Sequence, residues 1–156
     1  MKNTYDLDET DKDILRVMLN KKTNSLTEIG TFVNLTKSAV EKRVKRMKQG
    51  NLINGFIPQL NREKLPEYIT AFSLIRAKYG PKYSETVGKE LSKIQGVCGV
   101  YFILGDNDFI VILKAKDIEE LNGIVNNFSS IENIERSNTF ISMSTQFEDI
   151  SRFILI

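Results

Sequence analysis

The chain has 156 residues, with 22 Lys and Arg against 20 Asp and Glu, no histidine and one cysteine. That length suits one ordinary domain or two small ones, and no run approaches the ~18 apolar residues of a membrane-crossing helix. Without histidine, a cysteine beside an activating partner, a glycine-rich phosphate loop or a zinc-ligand cluster, the common catalytic centres are excluded. No catalytic residue, metal or cofactor is therefore expected.

Charge is divided unevenly. Residues 1–61 hold 11 basic and 7 acidic residues, net +4, whereas residues 62–156 hold 11 basic and 13 acidic, net −2. The join falls at the charged, proline-containing stretch Arg62-Glu63-Lys64-Leu65-Pro66-Glu67. The expected organisation is a DNA-binding domain over 1–61, a linker over 62–68 and a second domain over 69–156. The N-terminus does not look like a signal peptide. A lone Cys98 in an apolar strand pattern suits a reducing cytoplasm and a buried, small hydrophobic role.

In chain order, Asp8 is placed to cap a first helix bearing Ile14, Leu15, Met18 and Leu19 at helical spacing, with Glu9, Asp11 and Asp13 in or beside its first turn. Ser25-Leu26-Thr27-Glu28 has the form of a capping box, in which Ser25 bonds forward and Glu28 reaches back. It opens a second helix with Leu26, Ile29 and Val33 facing inward. Asn34-Leu35 then turns into a third helix, capped by Thr36 and closed by Gly50 in a left-handed conformation. Val40, Val44 and Met47 form its apolar seam. Around the rest stand Lys37, Lys42, Arg43, Lys45, Arg46 and Lys48 against the single acid Glu41, net +5.

A capped helix, a short turn and a basic helix make a helix-turn-helix, whose second helix enters the DNA major groove. The candidate DNA-binding residues are Thr36, Lys37, Ser38, Glu41, Lys42, Arg43, Lys45 and Arg46. Of these, Ser38, Glu41, Lys42 and Lys45 are expected at base edges, and Lys37, Arg43 and Arg46 at phosphates. Asn54-Gly55 between Leu52-Ile53 and Phe56-Ile57 predicts a small β-wing with a structural task, since it lacks Lys and Arg.

The remainder alternates strand and helix. Strands are expected at Ile69–Ala77, Val97–Leu104, Phe109–Ala115 and within Ile134–Phe147, where Ile141, Met143, Thr145 and Phe147 alternate with polar residues. One helix opens at Pro81 and carries Val87, Leu91 and Ile94. Another, capped by Asp117, carries Ile118, Leu121, Val125 and Phe128. The order βαββαβ predicts a ferredoxin-like sheet with both helices on one face, and so an α+β chain: a winged helix-turn-helix followed by this βαββαβ domain. Both parities are apolar in Val100–Leu104 and Phe109–Leu113, so the sheet's second face needs a cover. The predicted cover is a second copy packed sheet to sheet as a two-fold homodimer, the alternative being the helix-turn-helix of the same chain. The apolar end Phe153-Ile154-Leu155-Ile156 fits either assembly beyond the dimer or a terminal strand tucked into the same sheet.

Several of these segments resemble the leucine-responsive/AsnC-type, or feast/famine, regulators of bacteria and archaea, with the archaeal branch nearest. Leu7-Asp8-Glu9-Thr10-Asp11-Lys12-Asp13-Ile14-Leu15 is similar to their opening helix. Leu35 to Val40 followed by Arg43-Val44-Lys45-Arg46-Met47 resembles their recognition helix, and Leu52 to Phe56 their wing. Gly96-Val97-Cys98-Gly99-Val100-Tyr101 and the turn Gly105-Asp106-Asn107-Asp108 resemble two further motifs, in the family's order. The resemblance implies a transcription regulator that dimerises through the C-terminal sheet, often builds tetramers or octamers, and binds a small-molecule effector, commonly an amino acid. The effector-binding candidates carried over are Tyr101, Gly105, Asp106, Asn107, Asp108, Ser137, Asn138 and Thr139. Two departures are Leu65-Pro66, where Leu-Gly is usual, and Glu41 on the DNA-facing helix. The alternative is a chromatin-like architectural protein that coats double-stranded DNA with little sequence preference.

Overall fold

The computed structural model describes residues 5–61 and 64–148. The chain forms two compact units, one holding Met1–Asn61 and the other Arg62–Phe147. The apolar end Phe153–Ile156 lies outside the described residues.

The first unit has three helices, α1 (Glu9–Lys21), α2 (Leu26–Val33) and α3 (Lys37–Gln49). Each N-terminus is capped as the sequence predicts: Asp8 accepts from the Asp11 N–H, Ser25 from Glu28 and Thr36 from Ala39. The capping box closes by a relay. The Ser25 N–H donates to Thr23 Oγ1, and the Thr23 hydroxyl donates to Glu28. Ile14, Met18, Ile29, Val40, Val44 and Met47 interlock as one core. The α2–α3 turn passes tightly over α2, and a Cβ at Gly30 would lie 2.6 Å from the Leu35 carbonyl oxygen. Only glycine admits this approach.

Two expectations at the end of α3 are corrected. Gly50 has φ −82°, and the left-handed residue is Asn51 at φ 55°. Gly50 is needed for space instead, because a Cβ there would fall 2.4 Å from the Tyr5 ring. The hairpin expected around Asn54-Gly55 makes no strand ladder among the described residues, and Ile57 is 94% exposed. Two strands alone gain too little burial to offset chain entropy, whatever the turn signal. The segment leaves the core at Ile53, whose N–H bonds the Met47 carbonyl.

The second unit runs β1 (Ile69–Ala77), α4 (Tyr83–Ser92), β2 (Val97–Phe102), β3 (Phe109–Ala115), α5 (Ile118–Phe128) and β4 (Ile134–Ile141). The sheet is antiparallel in the order β2-β3-β1-β4, as the ferredoxin-like reading requires. Ala71, Ile75, Phe109, Val111 and Leu113 pack with Val87, Leu91, Leu121, Ile124 and Phe128 into one core. On α5, Ile124 takes the buried place while Ile118 is exposed. The alternating tail does not prolong β4, and Met143 is fully exposed. Cys98 is exposed too, because β2 is an edge strand and its ladder is irregular between Val97 and Gly99.

The opposite sheet face carries no helix. Register puts Phe72 beside Ile112 and Phe140, Leu74 beside Ile110 and Asn138, and Tyr101 beside Ile110 on this face. Phe72, Tyr101 and Phe140 are 40%, 56% and 51% exposed.

Candidate nucleic-acid interface and effector region

Helix α3 buries Val40, Val44 and Met47 and turns Ser38, Glu41, Lys42 and Lys45 to solvent. These four recur at helical spacing and share the outward side. At its start the Thr36 and Ser38 hydroxyls lie 3.1 Å apart, and Thr36 also caps the helix. Lys37 is exposed in the first turn. Near the C-terminal end, Lys48 stands over the Phe56 ring at 4.7 Å, a cation–π contact.

Arg43 and Arg46, expected at phosphates, are both engaged within the unit in the free chain. Arg43 Nη1 donates to Asp8 Oδ2 at 2.6 Å and to Asp11 Oδ1 at 2.9 Å, and Arg46 Nη2 donates to Asp11 Oδ2. Asp11 is fully buried, so α1 grips the flank of α3 through a carboxylate shared by two guanidinium groups. From the sequence, Asp8 is an N-cap and Asp11 a first-turn acid favoured by the helix dipole, with no partner on α3. The pairing spans 32 to 35 positions, which helical periodicity does not reveal.

The hydrogen bond from Arg43, then that from the Asp11 N–H, holds the Asp8 carboxyl below its ordinary value of 3.8. Asp8 and Asp11 raise Arg43 in turn, and the charge of Asp11 raises Arg46. Because the folded state lowers the Asp8 value, its stabilisation is complete above pH 3.8 and is lost as pH falls through the folded value. Asp8→Asn is therefore expected to flatten the acid limb of unfolding below pH 3.8, read by circular dichroism against pH. Asp11→Ala removes the buried carboxylate that both guanidinium groups bond, leaving Asp8 as their remaining acid, and is expected to cost about 3 kcal/mol of stability. Urea unfolding measures it, and a loss below about 1 kcal/mol would reduce the clamp to an ordinary surface pair.

The effector candidates separate into two groups. Tyr101 lies on edge strand β2, and Gly105, Asp106 and Asn107 lie in the turn that follows. Ser137, Asn138 and Thr139 lie on β4, the opposite edge, three strand spacings or about 14 Å away. One protomer does not bring the two groups together. Asp106 is exposed, with Asn107 half-buried beside it. Asp108 differs: it is buried, with Oδ2 accepting from the Ala77 N–H at 2.8 Å and Oδ1 from the Tyr83 hydroxyl at 3.2 Å. Its carboxylate holds the turn onto β1 and α4, which corrects its reading as a ligand contact. Burial, and then the Asp108 hydrogen bond, raises the Tyr83 phenol. Thr139 is likewise occupied, its hydroxyl 2.7 Å from that of Ser73. Among the described residues no cluster of His, Cys, Asp or Glu could hold a metal, and no helix is long and apolar enough to cross a membrane.

The two units match two known sequence profiles. A winged helix-turn-helix DNA-binding profile matches residues 7–54, and the Lrp/AsnC ligand binding domain profile matches residues 70–151. The chain belongs to the Lrp/AsnC family of transcriptional regulators. As such it is a DNA-binding regulator and not an enzyme. The HTH-type transcriptional regulator FL11 of Pyrococcus furiosus is 35% identical over 142 residues, covering 91% of this chain and 93% of FL11. The Lrp/AsnC fold recurs in the transcriptional regulator NMB0573 of Neisseria meningitidis, solved as an L-Met complex. That structure has a TM-score of 0.78 at 18% identity, covering 94% of this chain and 96% of that one. The feast or famine regulatory protein Rv3291c of M. tuberculosis, complexed with L-methionine, gives a TM-score of 0.76 at 22% identity, covering 93% and 97%.

Proposed function

We propose that this Lrp/AsnC regulator binds specific DNA sequences as a homodimer and that an amino acid modulates its assembly or its DNA affinity. The outward side of α3 carries the DNA part: Ser38, Glu41, Lys42 and Lys45 stand exposed on a helix whose other side is locked into a core. They read base edges, and Lys37 at the exposed helix start takes a phosphate. Arg43 and Arg46 position the helix first and meet phosphate second.

The bare apolar sheet face supports the dimer. Covering Phe72, Phe140 and Tyr101 with the same face of another copy removes apolar area from water on both sides. A tetramer or octamer would use further surfaces. The effector reading draws on the methionine complexes of the two neighbours and on the separation of Tyr101, Gly105, Asp106 and Asn107 from Ser137 and Asn138. A site using both groups is completed between copies, so its ligand would favour one assembly over another and thereby shift DNA binding. Asp106 is the carboxylate left to meet an ammonium group. This reading requires no metal or cofactor, and a regulator of chromosomal DNA works in the cytoplasm.

Titration of promoter and random duplexes at physiological salt tests the specificity. A ratio of about a thousand or more is expected, whereas equal affinities would favour a DNA-coating protein. Thermal shift against a panel of amino acids tests the effector, and silence from all of them would remove that part.

A further inference from the structure

Asp8 holds an unusual place beside the DNA-binding helix. It precedes α1, its side chain is 49% exposed, and its Oδ2 lies 2.6 Å from Arg43 Nη1 and 4.0 Å from Arg46 Nη2. Its other oxygen, Oδ1, is committed to the Asp11 N–H at 2.7 Å. Asp11 already anchors both arginines from the buried side. Asp8 is thus a second, outer anion on a guanidinium that Asp11 alone would hold in place. An anionic oxygen bonded to one arginine and close to another is also what a DNA phosphate would present there.

We infer that Asp8 stands in for a backbone phosphate, competing with DNA for Arg43 and so lowering affinity for duplexes of any sequence. The inference rests on the DNA-binding reading and adds a device to it. Arg43 must give up Asp8 before it meets a phosphate, and the freed Asp8 carboxylate then faces the same anion. An exposed pair breaks readily, so Asp8 trims binding without abolishing it. Base contacts from Ser38, Glu41, Lys42 and Lys45 are untouched. Asp8 therefore lowers the sequence-independent part of the affinity and leaves the sequence-reading part intact.

Asp8→Asn is the decisive variant, because asparagine caps a helix as well as aspartate does and Asp11 still holds both arginines. With the full chain on a random-sequence duplex, followed by fluorescence anisotropy across a salt series, Asp8→Asn is expected to bind about three-fold tighter per recognition helix, or about ten-fold as a dimer. The slope of log affinity against log salt steepens by about one per helix. The gain disappears when Arg43→Ala is added, so the double variant binds like Arg43→Ala alone. Glu9→Gln, which removes the same charge one residue away without touching Arg43, gives a much smaller change. Asp8→Ser, also a good cap, reproduces the Asn result if the latter variant folds poorly. Unchanged affinity in the Asp8 variants overturns the inference, as does a gain that survives loss of Arg43 or equals that of Glu9→Gln. Wild-type protein that binds no duplex overturns the DNA-binding reading itself, and this inference with it.

Discussion

Replacing Lys42 and Lys45 together with alanine is expected to weaken binding to a specific site about a hundred-fold or more. Each lysine is exposed on the outward side of α3 and makes no ion pair among the described residues, so the core is left undisturbed. A base contact is worth about 1–3 kcal/mol, and losing two per helix reaches that factor by a modest count. The loss should fall mainly on the specific site, because base contacts carry the sequence information. Lys37→Ala makes the contrast. It should weaken specific and random DNA alike and reduce the salt slope by about one per helix. Footprinting of the double variant checks the first outcome, and operator occupancy equal to wild type would contradict it.

Placing glutamate at both Phe72 and Leu74 is expected to turn the proposed dimer into a folded monomer of 17.8 kDa. Register puts both on the helix-free face, beside Ile112 and Ile110 of the central strand β3. In a single chain that face is open, so the charges stay hydrated and the sheet keeps its core against α4 and α5. In a two-fold interface each substitution occurs twice, and burying unpaired carboxylates costs several kcal/mol. Light scattering at micromolar concentration distinguishes the species. A variant that keeps the dimer's mass would show that the copies meet through another surface.

Local chemistry was legible in the chain; long-range pairing was not. The caps at Asp8, Ser25, Thr36 and Asp117 were readable because cap and orphan N–H lie within three residues. The apolar seams of α3 and β3 were readable because burial imposes a period on the sequence. By contrast, Asn54-Gly55 has the composition of a hairpin turn, yet residues 53–61 form neither a turn nor a ladder, because composition does not supply a partner sheet. Cys98 was read as buried because a strand pattern does not say which strand is at an edge; the order β2-β3-β1-β4 does. The same order sets the effector candidates on opposite edges of the sheet, a separation that the resemblance alone does not reveal. A lysine or arginine beside an apolar seam can be solvated, bind phosphate or pair internally. For Arg43 and Arg46 the choice depends on Asp8 and Asp11, which become neighbours only when α1 packs on α3.

Selection of binding sites from random DNA by the intact chain tests the central claim most directly. Two copies of α3 held by paired sheets should recover a near-palindromic consensus, with half-sites one helical turn, about 10 base pairs, or a multiple apart. Recovery of sequences with no shared half-site would contradict it.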